Sequence, residues 1–144
     1  MPSVSNLLAI VAGFVIIFFG NYLFYGVLAA GFFESHMGSA TGVQKEEVSM
    51  AFIALGCLVQ AYVLATLYSK WANGTYTPSG GFQFGALAGL LTGLGLGFVM
   101  YGTTHLMDLT AHLVDGLWYV VLYGLAGMAM AAIMNKTQAD SERE

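Results

Sequence analysis

Apolar residues in this chain come in long runs, interrupted by glycines and single polar side chains and separated by short polar segments. The first run, residues 7–33, carries no charged residue. A bilayer crossing needs roughly 20 apolar residues, so each run is long enough to span. The pattern predicts four helices, over about residues 7–33, 42–70, 82–101 and 105–134, and a polar tail over 135–144. The first helix exceeds a crossing and implies tilt or a projecting end. Thr41-Gly42-Val43-Gln44 has capping-box spacing and sets the second helix start near Gly42. Residues 72–81 are rich in turn formers, which puts the third helix start near Phe82, and Gly102 is suited to end it. The expected fold is all-α, a four-transmembrane-helix bundle in a single domain.

Composition agrees with membrane insertion. The 144 residues are 58% hydrophobic and 8% charged, with a mean hydropathy of +0.73, whereas soluble domains carry about 25% charged residues. Four basic residues leave no electrostatic footprint for nucleic acid. They also set an orientation: Lys70, Lys136 and Arg143 fall on the side of the termini and the second connection, against Lys45 on the other. Basic flanks favour the cytoplasm, so both termini are expected there. Two glycosylation sequons, Asn73-Gly74-Thr75 and Asn135-Lys136-Thr137, then face the cytoplasm and read as chance. The N-terminal run is too long for a signal core and lacks its basic flank. The single cysteine, Cys57, reads as a small core hydrophobe.

In lipid, helices associate through close backbone approach and interhelical hydrogen bonds. Gly81, Gly85, Gly89, Gly93 and Gly97 recur every four residues and make the most specific pattern in the chain. They suit packing against the fourth helix, which offers Gly116, Gly124, Gly127 and Ala131, or a seam between copies of the chain. Asn21 and Gln60, near the middle of their helices, read as cross-helix clamps. No ionisable residue is expected at mid-span, which weighs against a proton- or ion-coupled carrier.

One constellation carries candidate chemistry. His36, His105 and His112 all fall at the predicted outer ends of helices, with Glu34, Asp108, Asp115, Met37 and Met107 around them. If the fourth helix starts at Thr104, then His105, Asp108, His112 and Asp115 share one stripe. Imidazole with carboxylate suits a transition metal, zinc or, with the methionines, copper. If instead Asp108 caps that helix, the set is an ordinary polar end. Tyr22, Tyr25, Tyr62, Tyr101, Trp118, Tyr119 and Tyr123 are expected to pack, with a quinone, pigment or lipid pocket as the alternative.

Residues 101–110, Tyr-Gly-Thr-Thr-His-Leu-Met-Asp-Leu-Thr, with Val114-Asp115-Gly116-Leu117-Trp118, resemble the second half of small bacterial four-helix membrane proteins classed as domains of unknown function. Asn21-Tyr22-Leu23-Phe24-Tyr25-Gly26 is similar to the aromatic-Gly segment of that group, while His105 departs from its pattern. The resemblance implies a bacterial inner-membrane protein and no substrate. The functional expectation is a non-enzymatic component acting as a homo-oligomer or accessory subunit. The alternatives are a metal-binding or redox-linked protein and a small-solute channel or carrier. Partners are the bilayer, further copies or other membrane subunits. No nucleophile with its base, phosphate loop or midplane carboxylate pair marks an enzyme.

Overall fold

The computed structural model describes residues 4–141. Its helices are α1 (Val4–Leu23), extended by a π-helical turn (Phe24–Leu28), then α2 (Ala30–Ser35), α3 (Met50–Trp71), α4 (Pro78–Gly89), a second π-helical turn (Leu90–Gly95), α5 (Leu96–Thr103) and α6 (Leu109–Ser141). Among the described residues, four helices are long and apolar enough to cross a membrane: Val4–Leu28, Met50–Trp71, Pro78–Thr103 and Leu109–Asp140. Large apolar side chains such as Val11, Val15 and Phe19 on α1, and Phe52, Leu55 and Val59 on α3, point outwards. An open apolar surface of this kind suits lipid as the solvent.

The last helix is the hub. α6 packs along α4 and α1, and α3 packs mainly on α1, with smaller contacts to α6 and α4. The glycine row faces α6: Gly81, Gly85, Gly89, Gly93 and Gly97 are all buried. A Cβ at Gly81 would lie 2.2 Å from the Gly127 carbonyl oxygen, and one at Gly89 2.3 Å from that of Tyr119. Gly95, off this row, meets only the Leu90 carbonyl oxygen at 3.5 Å. Four residues overshoot one α-helical turn by about 40°, so four such steps drift by roughly 160°. A π turn holds more residues and takes back part of that drift. The π-helical stretch Leu90–Gly95 therefore keeps Gly93 and Gly97 on the face that Gly81 begins.

The predicted boundaries of three helices are corrected. The second crossing helix begins at Met50, not near Gly42. Gly42 takes a φ of +70°, a left-handed conformation that ends any helix there, and Lys45-Glu46-Glu47 is left in an exposed loop with no apolar face to bury. The third begins at Pro78, a turn before Phe82: the Thr77 side chain accepts from the Gly80 amide at 3.1 Å and Pro78 occupies the first turn. It also runs past Gly102 to Thr103. The fourth begins at Leu109 and continues to Ser141, so residues 135–141 of the expected tail are helical. There the Thr137 hydroxyl meets that of Ser5 at 2.5 Å, tying α6 to α1. Residues 142–144 of the tail lie outside the described residues.

At this terminal end, Tyr68 is fully buried and donates to the Thr77 carbonyl at 3.2 Å, among Trp71, Tyr76 and Phe84. The opposite end is built from the other two connections.

Candidate solute cleft

The cleft end is shaped by the π turn in the first span. Its wider turn brings the consecutive residues Phe24 and Tyr25 both onto α6: Phe24 stacks on Trp118 with centroids 4.2 Å apart, and the Tyr25 hydroxyl donates to Asp115 Oδ1. One turn earlier, Asn21 Oδ1 accepts from Trp118 Nε1 at 3.2 Å. Asn21 thus links the first and last spans. Gln60 Oε1 is buried without a hydrogen-bond partner among the described residues.

After the π turn the chain bends at Ala29 and runs through α2 into a loop that pairs with the last connection. Met37 and Met107 form an isolated antiparallel bridge. Around it, the Gly38 amide donates to the Leu106 carbonyl at 2.9 Å, Ala40 to His105 at 3.1 Å and Asp108 to His36 at 3.1 Å. Residues directly opposite in such a pair project to the same side, so the two thioethers lie together. A Cβ at Gly38 would fall 2.0 Å from the His105 carbonyl oxygen, so this crossing requires glycine.

Asp108 caps α6, its Oδ1 accepting from the Ala111 amide at 2.8 Å. This cap removes the stripe that a helix start at Thr104 would create. Only His112 and Asp115 of the four share α6, and His105 stays exposed in the connection. His36 stacks on Phe32 at 4.2 Å, with Nδ1 2.8 Å from the Phe32 carbonyl oxygen. His112 is 2% exposed, its ring edge-on to Tyr101 and its Nε2 without a partner among the described residues. The three imidazoles therefore occupy three separate environments. Among the described residues, no group of three or more His, Cys, Asp and Glu side chains is placed to hold a metal ion.

What the fold does bring together is a cleft of about 520 Å³ lined by Tyr25, Ala30, Phe33, Glu34, Met37, Gln44, Met107 and Asp115. Its size falls in the range of small-ligand sites. Asp115 Oδ1 is held by Tyr25, and Oδ2 accepts no hydrogen bond among the described residues. Among the described residues, no basic side chain lines the cleft. The surrounding end holds Glu34, Glu46, Glu47, Asp108 and Asp115 against Lys45. Such an excess of one sign raises the local concentration of cations.

Of the aromatic residues, Tyr119 and Tyr123 pack inside the bundle beside Trp118, while Tyr22, Tyr62 and Tyr101 face outwards. Tyr25 as the donor to Asp115, and Gln44 as a cleft wall, were not apparent from the sequence, because neither a π turn nor a loop that folds back leaves a local signature. Compared with known proteins, the chain gives no significant match to any protein family, curated protein or solved structure.

Proposed function

We propose that the chain is a non-enzymatic, multi-pass protein of a bacterial inner membrane, with both termini in the cytoplasm, that holds a small solute in the cleft on its outer side. The observation that carries this reading is the cleft itself, which gathers two carboxylates, an amide, two thioethers and two aromatic rings on a bundle whose flanks are otherwise apolar. The orientation rests on the three basic residues at the terminal end against Lys45 at the cleft end.

The test is native mass spectrometry of the protein purified from its own membranes in a mild detergent. A bound small molecule, present on the native chain and lost in Asp115→Asn, is the expected result. A chain that carries none, or whose bound species is unchanged in Asp115→Asn, overturns the reading.

An accessory-subunit role is the second reading. It would use the outer face of α3, where Leu55, Val59 and Tyr62 are open to another membrane helix as they are to lipid. The same preparation tests it, through the identity of every co-purifying chain. A seam between copies through the glycine row is not proposed, since α6 of the same chain occupies that face.

A further inference from the structure

Resting on the cleft reading, we infer that the solute is an organic ammonium ion, a primary to quaternary amine on a compact apolar body. The charge follows from the lining: Glu34 and Asp115 line the space and, among the described residues, no Lys or Arg does, so an anionic ligand would find no Lys or Arg counter-charge in the wall. The organic body follows from the remaining walls. Ala30, Phe33, Met37, Met107 and the ring of Tyr25 offer apolar and polarisable surface that a hydrated inorganic ion would not use.

A bare metal ion fits less well. Zinc-type sites close around four N, O or S ligands at roughly 2.0–2.3 Å, and the described residues bring no three His, Cys, Asp or Glu side chains together. An alkylammonium needs no such shell. It is held by one carboxylate, by aromatic faces within about 6 Å and by displaced water. Asp115 is suited to be that carboxylate, because it lines the cleft and Tyr25 holds one of its oxygens in place. Glu34, on α2, would add charge from the rim.

The test uses the full chain in mild detergent with Trp71→Phe, so that Trp118 is its one tryptophan. Trp118 stacks on Phe24, the neighbour of Tyr25, and reports on the cleft wall. Fluorescence is followed while tetramethylammonium or butylammonium chloride replaces potassium chloride at constant ionic strength. The expected result is a saturable change with at least one of the ammonium salts. Loss of this part-buried counter-ion should weaken binding by about tenfold in Asp115→Asn. Glu34→Gln should weaken it less, and Glu46→Gln, outside the cleft, should leave it within about twofold.

No saturable change with either salt, or unchanged binding in Asp115→Asn, overturns the inference. So does saturation by silver(I) without saturation by either ammonium, which would mark a thioether metal site. Thermal unfolding of each variant separates lost binding from lost folding, and Glu34→Gln serves if Asp115→Asn does not fold. An Asp115-dependent solute that proves neutral or anionic in the native mass experiment overturns the ammonium class while leaving the cleft reading intact.

Discussion

Alanine at Gly85 would put a methyl carbon 1.9 Å from the carbonyl oxygen of Tyr123, 2.6 Å from its carbonyl carbon and 3.1 Å from Gly124 Cα. All three atoms belong to the α6 backbone, so no rotamer change relieves the overlap. Non-bonded carbon contacts settle near 3.5 Å, which means that α4 and α6 must part by roughly 1.5 Å. The separation opens the flanking contacts at Gly81 and Gly89, whose Cβ positions also fall within 2.3 Å of α6 carbonyl oxygens. Overpacking usually costs about 1–3 kcal/mol, and a rigid backbone partner puts Gly85→Ala near the upper figure. The comparison is Gly56→Ala on the outer face of α3, where a Cβ meets nothing within 4 Å. That variant gains helix propensity and should be stabilised by about 0.5–1 kcal/mol. Both are measured by reversible unfolding in mixed micelles with increasing anionic detergent, followed by tryptophan fluorescence. Opposite signs are expected. Equal shifts in the same direction, or no loss at Gly85→Ala, would refute the close approach of α4 and α6.

Three further substitutions probe separate parts of the bundle. Thr77→Ala removes the side-chain acceptor at the start of α4 and should lower stability by about 1 kcal/mol in the same assay, with Thr77→Ser restoring most of it. Asn21→Leu leaves Trp118 Nε1 without its acceptor; a loss of about 1 kcal/mol and a blue shift of Trp118 emission should follow, whereas an unchanged spectrum would argue against the contact. Gln60→Leu removes a buried, unpartnered Oε1 and should be neutral or stabilising, and a loss above about 1 kcal/mol would reveal a partner for that amide.

The spans were legible in the sequence because their signal is composition over about 20 residues, which tertiary packing does not override. Their ends depend on one or two residues and were less so. Gly42 read as the second residue of a capping box, yet its positive φ keeps the loop going to Ser49. At Thr77-Pro78 the local signal was strong, but the glycines that follow read as turn rather than as helix packed on α6. The polar end was visible as a set of residues, and its geometry was not. Whether Asp108 joins a ligand stripe or caps α6 depends on a single hydrogen bond to Ala111. Which side chains share the cleft depends on the Tyr25–Asp115 hydrogen bond that the π turn sets up and on the Met37–Met107 bridge, both of which join parts of the chain far apart in sequence.

The most direct test of the account is cysteine accessibility in intact cells. With Cys57→Ala removing the native thiol, Ser39→Cys lies in the exposed loop at the cleft end and Thr75→Cys in the exposed connection at the terminal end. A membrane-impermeant maleimide should label Ser39→Cys from outside and reach Thr75→Cys only after the membrane is opened. Labelling of Thr75→Cys in sealed cells, with Ser39→Cys protected, would put the acidic cleft in the cytoplasm and contradict the orientation on which the proposed function rests.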